Sequence, residues 1–277
     1  MKAAVLGKPI AHSLSPALHR AAYAELGLDG WTYQAVECDE AALPAFVTSR
    51  GPDWAGLSLT MPLKRTVLPL LDRTDPLAAV TGGANTVVFR PDGRYGYNTD
   101  VRGIVDALAE VGAPPPGSVT ILGGGATACS ALAALPELGA AGADVVVRDP
   151  VRAAGLLAVA ERLRLRVRLR PFTDLETGGP APGLLISTVP AGAADGYSER
   201  MRLTGQAPAA LLDVVYDPWP TPLAEAASAA GALVASGFAM LLHQAAAQVE
   251  LMTGKPAPLE AMRAAGEAEL GRRAAAR

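Results

Sequence analysis

The chain has 277 residues, of which 50% are apolar and 18% charged, with 24 basic and 27 acidic side chains giving a formal net charge of −3. A mean hydropathy of +0.24 and a pI near 5.7 exclude a disordered tail and leave no global field to attract nucleic acid, polyphosphate or anionic lipid, so a small molecule is the expected partner. Cys38 and Cys129 are too few for a disulfide framework and lack Cys/His ligand spacing, which points to a cytoplasmic protein with two thiols and no metal site.

The opening residues lack the long apolar region of a signal peptide, and no run of about twenty uncharged apolar residues suggests a membrane span. Ala3 to Leu6 reads as a strand and Pro16 to Leu26 as a helix that Gly27 stops; Trp31 to Cys38 alternates as a second strand, Glu40 to Ser49 fits a helix, and Gly56 to Leu59 is a third strand. This β-α-β-α-β order implies a mostly parallel sheet covered by helices. Asn85 to Phe89 and Arg94 to Tyr97, joined by Pro91-Asp92-Gly93, read as a hairpin that adds antiparallel strands near one edge.

Asp100 to Val111 is helical, and the run Pro114-Pro115-Pro116-Gly117 marks a loop before a second βα series. Strand Val119 to Leu122 leads through Gly123-Gly124-Gly125 into a helix expected to run to Leu138. Strand Asp144 to Val147 and helix Arg152 to Leu163 follow, then strands Arg166 to Leu169, Leu184 to Ser187, Leu211 to Val214 and Leu233 to Val234. That series predicts a Rossmann-type, doubly wound nucleotide-binding domain. Helices Gly237 to Met252 and Leu259 to Arg272 close the chain, so the expected fold is two-lobed α/β: 1–101 plus 236–277 form one domain and 102–235 the other.

Two constellations carry chemistry. In the second domain, Gly123, Gly124, Gly125, Ala126 and Thr127 lie between an apolar strand and a helix, where small residues let the backbone approach a pyrophosphate held on free N–H groups. The next strand ends at Arg148, Asp149 and Arg152, at the distance where such domains hold the adenosine ribose. The arginines suit a 2′-phosphate and hence NADP, or are plain surface charge; Asp149 suits free ribose hydroxyls and hence NAD. In the first domain, Ser13 and Ser15 follow strand one, Thr60 and Lys64 follow strand three, and Asn85, Asn98 and Asp100 flank the hairpin. Hydroxyls there can hold a carboxylate, amides can orient a polyol, and a Lys/Asp pair can move a proton. Taken singly, each also has an ordinary role as a turn, cap or surface residue.

Together these residues resemble the shikimate dehydrogenase family almost end to end. The resemblance rests on Gly7-Lys8-Pro9-Ile10-Ala11-His12-Ser13-Leu14-Ser15-Pro16, Ser58-Leu59-Thr60-Met61-Pro62-Leu63-Lys64, Gly83-Ala84-Asn85-Thr86 and Gly96-Tyr97-Asn98-Thr99-Asp100 with Gly103. The glycine turn, Ser187-Thr188-Val189-Pro190, Asp213-Val214-Val215-Tyr216-Asp217-Pro218 with Thr221-Pro222-Leu223, and Gly237 with Met240, Leu241 and Gln244 continue it in the same order. The resemblance implies that Ser13 and Ser15, with Tyr216 nearby, hold the shikimate carboxylate, and that Thr60, Lys64, Asn85, Asp100 and Gln244 hold the ring hydroxyls. Lys64 and Asp100 match the family's catalytic pair, while Thr188, Val214 and Gly237 fall where the family lines the nicotinamide pocket.

Several positions depart from the pattern. Ser58 stands where the family has Asn, so one ring contact is expected to be shortened or relayed by water; Ala126 replaces the third glycine of the loop, Cys129 a frequent Arg, and Asp149-Pro150 an Arg-Thr pair. The implied activity is NADP-linked reduction of 3-dehydroshikimate to shikimate by a monomer or homodimer. The alternatives are an NAD-dependent quinate/shikimate dehydrogenase and a metabolite-binding paralogue without turnover.

Overall fold

Strands that read as unbroken apolar runs lie inside sheets, and the strand that alternates lies at an edge. In the computed structural model, which describes residues 1–174 and 181–276 but not the Arg152 side chain, β1 (Lys2–Gly7) is buried from Ala3 onward and sits between β2 (Thr32–Glu37) and β3 (Trp54–Leu59), parallel to both. A strand covered on both faces has no need of alternation. The sheet continues antiparallel through β5 (Thr86–Arg90) and its hairpin partner β6 (Gly93–Tyr97), and ends on the two-residue β4 (Arg73–Thr74), in the order β2-β1-β3-β5-β6-β4.

The second sheet is wholly parallel, in the order β12-β11-β10-β7-β8-β9. Its strands are β7 (Val119–Leu122), β8 (Gly142–Val147), β9 (Arg166–Pro171), β10 (Leu184–Ser187), β11 (Ala210–Asp213) and β12 (Leu233–Ser236). Central β10 is buried at every position, whereas β9 alternates. On that edge Arg168 pairs with Asp144 of β8 at 2.5 Å, a charged rim that discourages pairing with another strand.

The chain forms two compact units, Met1–Asp100 with Leu241–Arg277, and Val101–Met240. In the first, α1 (Ser15–Glu25) follows β1, α2 (Leu43–Thr48) precedes β3, and α3 (Leu63–Thr66) and α4 (Pro76–Thr81) lie between β3 and β5. α5 (Asp100–Glu110) begins at the boundary. The second unit carries α6 (Ala126–Ala134), α7 (Ala154–Arg162), α8 (Asp195–Thr204) and α9 (Pro222–Ala229). α10 (Gly237–Thr253) starts there and crosses into the first unit, where α11 (Leu259–Ala275) packs on α1. Among the described residues no helix is long and apolar enough to cross a membrane.

Two expectations need correcting. α6 stops at Ala134 rather than Leu138, because Pro136 has no N–H to give Leu132 and the chain turns instead through Leu138 N to Ala134 O at 3.1 Å. α2 starts at Leu43 rather than Glu40, with Pro44 in its first turn where a missing N–H costs nothing. α3, α4, α8 and α9 had no sequence counterpart.

Candidate active site

The first unit gathers its polar residues at the C-terminal ends of β1 and β3 and the start of β5. β1 ends at Gly7, and the following loop carries Ser13, half-buried, and Ser15, buried in the first turn of α1. The two are adjacent, with Ser15 N donating to Ser13 Oγ at 3.3 Å. Arg273 of α11 pins this loop by donating to the carbonyls of His12 at 2.8 Å and Ser13 at 3.3 Å. Thr60 follows β3, and its carbonyl accepts from Leu63 N at 2.8 Å as the chain turns into α3, which carries Lys64.

Asn85 is placed by the short helix before it. Asp75 caps α4 through Ala78 N at 2.7 Å, and Gly82, at φ +63°, turns the chain back toward β5. On the far side of the hairpin, Asn98 donates to Thr81 Oγ1 and the Gly83 carbonyl, at 2.9 and 3.1 Å. It thereby ties the end of β6 to the segment leading into Asn85, and its Oδ1 accepts from Asp100 N at 3.1 Å. Asn98 is thus an anchor of the backbone around the site.

The side chains these elements bring together form one cluster. Lys64 Nζ lies 2.5 Å from Asp100 Oδ2, and the two side chains are only 15% and 5% exposed. Asn85 Nδ2 donates to Asp100 Oδ1 at 2.7 Å and to Gln244 Oε1 at 3.3 Å. Asp100 opens α5, where the helix dipole favours negative charge. An amine paired with a carboxylate, flanked by two amides and screened from bulk water, can hold a hydroxylated ring and move a proton at one of its oxygens.

Beneath this cluster lie groups that, Ser58 apart, were not singled out from the sequence. Tyr33 donates to Ser58 at 2.6 Å, Ser58 to Gln248 Oε1 at 2.7 Å, and Gln248 Nε2 reaches Thr86 Oγ1 at 2.9 Å and the Asn85 carbonyl at 3.3 Å. His19, fully buried, stacks on Tyr33 at 4.0 Å and faces Gln248 Oε1 at 3.3 Å. Burial holds its imidazole far below the usual range, at about 3, against a smaller opposing effect of the Gln248 bond, so it is neutral. Ser58 is engaged in this buried layer, which accounts for a serine at that position. The signal for Gln248 was its place one helical turn after Gln244, a second amide on the same face of an alanine-rich helix.

The second unit holds the remaining residues. Gly123 follows β7 at φ +107°, and a side chain there would come within 2.5 Å of Thr188 Oγ1. Thr188 in turn donates to the Leu122 carbonyl at 2.7 Å, so it stitches β10 to β7 beside the turn. Gly124 packs against Val147, and Gly125, exposed, has open space where a side chain would be. No side chain caps α6, so the N–H groups of Ala126, Thr127 and their neighbours remain for a ligand. This cradle fits a dinucleotide pyrophosphate.

Arg148 is exposed at the end of β8, its guanidinium 5.9 Å over the Phe172 ring. Asp149 Oδ1 accepts from Val151 N at 2.9 Å and caps the turn Pro150–Ala153. The Arg152 side chain lies outside the described residues. Gly237 is required by packing, since a side chain there would fall on the carbonyl of Val214. Val214 and Tyr216 sit on the loop after β11. Asp213 braces it by accepting from Thr221 Oγ1 at 2.6 Å and Val215 N at 3.3 Å, and burial pushes its carboxyl upward. Tyr216 therefore belongs to the second unit, whereas Ser13, Ser15, Thr60, Lys64, Asn85, Asp100 and Gln244 belong to the first.

Two family models match the chain. Residues 5–87 match the shikimate dehydrogenase substrate binding domain and residues 237–265 the shikimate 5′-dehydrogenase C-terminal domain. The chain is 37% identical to the shikimate dehydrogenase (NADP(+)) of Citrifermentans bemidjiense, covering 97% of this chain and 95% of that one. It superposes on the crystal structure of Mycobacterium tuberculosis shikimate dehydrogenase with a TM-score of 0.85 at 44% identity, covering 97% and 99% of the two chains. The Thermus thermophilus shikimate 5-dehydrogenase in complex with NADP(H) and shikimate gives 0.82 at 32% identity, covering 97% and 99%.

Proposed function

This chain belongs to the shikimate dehydrogenase family, and from that premise we propose that it catalyses the reversible NADP(H)-linked reduction of 3-dehydroshikimate to shikimate. The observation that carries the reading is the ion pair of Lys64 and Asp100 at 2.5 Å, held between α3 and the start of α5 and braced by Asn85. A pure binding module has no need of such a pair.

The nicotinamide, when bound, supplies or accepts the hydride. Lys64 Nζ gives a proton to the carbonyl oxygen of the substrate during reduction and takes it back from the hydroxyl during oxidation. Asp100 orients the amine through Oδ2 and accepts from the neighbouring substrate hydroxyl. Ser13 and Ser15 donate to the substrate carboxylate, joined by Tyr216, while Thr60, Asn85 and Gln244 hold the ring hydroxyls. In the second unit, the backbone from Gly123 to Thr127 takes the pyrophosphate, and Thr188, Val214 and Gly237 line the nicotinamide pocket. Arg148 and Arg152 take the 2′-phosphate. The relatives named for NADP(+) support NADP over NAD.

The test is the initial rate of oxidation of shikimate and of quinate, each with NADP and with NAD, followed by reduced-nicotinamide absorbance. The expected result is a preference for shikimate with NADP. Turnover of quinate with NAD would move the protein to the quinate/shikimate branch and give the ribose to Asp149, and no turnover with any pair would make it a binding paralogue.

A further inference from the structure

The buried layer beneath the catalytic pair has a single direction. Asp100 Oδ1 accepts, so Asn85 turns Nδ2 toward it and leaves Oδ1 to receive the Thr86 hydroxyl at 2.8 Å. With its one proton committed there, Thr86 can only accept from Gln248, whose Nε2 also faces the Asn85 carbonyl, an acceptor with no alternative. The amide of Gln248 therefore has one allowed orientation, with Oε1 toward Ser58 and His19. Ser58 donates its proton to Gln248 and accepts from Tyr33, which also shares a side-chain hydrogen bond with Ser15. His19, facing Oε1 through Nε2, carries its proton on that atom and leaves Nδ1 to accept from Tyr23 at 3.4 Å. Tyr33, Ser58, Gln248, Thr86 and Asn85 are each less than 5% exposed, and among the described residues no buried side-chain nitrogen or oxygen lacks a partner.

We propose that Gln248, supported by Ser58, is a positioning residue for the reaction. It fixes the Asn85 carbonyl and the Thr86 hydroxyl, and through them, together with the Thr99 N and Oγ1 that also donate to Asn85 Oδ1 at 2.9 and 3.1 Å, aims the Asn85 amide at Asp100 and sets the carboxylate against Lys64. A fully satisfied buried network of this kind permits one arrangement, because reversing any member leaves two donors or two acceptors face to face. Removing Gln248 frees Thr86 to turn its proton elsewhere and leaves Asn85 Oδ1 held by Thr99 alone, through its N at 2.9 Å and its Oγ1 at 3.1 Å. The effect falls on the geometry of proton transfer rather than on the carboxylate end of the substrate. The kinetic part of this claim rests on the shikimate reading, whereas its geometric part does not.

The experiment pairs kinetics with a structure. Gln248→Met keeps the bulk and deletes both donors; kcat for shikimate oxidation is expected to fall about 10-fold with KM within about two-fold, since the lost interaction serves the transition state. Ser58→Ala, which removes one donor to Gln248 and little volume, is expected to lower kcat about three-fold by the same route, and it decides the question if the methionine variant does not fold. A crystal structure of whichever variant folds is expected to show the 2.7 Å bond from Asn85 to Asp100 broken or lengthened. Unchanged kcat, or a fall in unfolding temperature with kcat per folded molecule preserved, overturns the proposal. So does retention of that bond, even if the parent chain proves unable to oxidise shikimate.

Discussion

The two units build their candidate sites by opposite means. In the first, the working groups are side chains, buried and cross-linked: Lys64, Asp100, Asn85 and Gln244 are joined directly, and Gln248 and Ser58 are joined to them from beneath. In the second, the working surface is backbone at Gly123 to Gly125 and the uncapped start of α6, with Arg148 exposed beside it. A proton must be handed over at one atom, which demands fixed side chains. A pyrophosphate spreads its charge over several oxygens and is met by several N–H groups, which demands only that the chain approach closely. Damage should therefore be sharp and catalytic in the first unit, and conformational or graded in the second.

Four substitutions break or sharpen that contrast. Asp100→Ala removes the partner of Lys64 and takes from the Asn85 amide one of its acceptors; kcat for shikimate is expected to fall by about 10²–10³-fold in steady-state assays, with NADP binding little changed. Gly123→Val places a branched side chain at φ +107° against Thr188, and a loss of about 2–3 kcal/mol in urea unfolding is expected, together with loss of NADP binding.

His19 supplies a pH test of the first unit. Its imidazole takes a proton near 6.5 when unfolded and only at about 3 when folded, so the unfolded state binds more protons between those values. Stability is unaffected above about pH 6.5 and declines as pH falls toward 3, by up to about 1.4 kcal/mol per pH unit. Unfolding curves of His19→Phe, which keeps a ring against Tyr33, should show that slope flattened. The smallest effect is expected at the exposed rim of the second unit. Arg148→Ala should raise KM for NADP about five-fold while leaving KM for NAD within about two-fold, the cost of one charge-assisted contact to the 2′-phosphate.

The same contrast decides what could be read from the sequence. β1, β3, β7 and β10 were legible because burial on both faces leaves continuous apolar runs, and the hairpin at Asp92-Gly93 because a turn needs those residue types. α3 and α4 are too short for periodicity to mark, although Asp75-Pro76 and Gly82 carry the start and stop of α4. α8 is polar along most of its length and was missed for that reason, and α9 was missed although Thr221-Pro222 carries its cap. In the site, Lys64, Asn85 and Asp100 stood out as polar residues at strand ends. Gln248 and Tyr33 did not, and Ser58 stood out only as a departure from the family pattern, since a buried amide or hydroxyl on an apolar element reads as packing until its partners from other elements are in view.

The central claim is that Lys64 transfers the proton of the reaction rather than merely holding the substrate. Lys64→Ala, compared with the parent for shikimate affinity by calorimetry and for kcat by initial rate, tests it most directly. The account predicts a Kd within about five-fold and a kcat lowered by about 10³-fold or more; a variant that loses shikimate affinity in proportion to its rate, or one that keeps a kcat within about ten-fold of the parent, would contradict it.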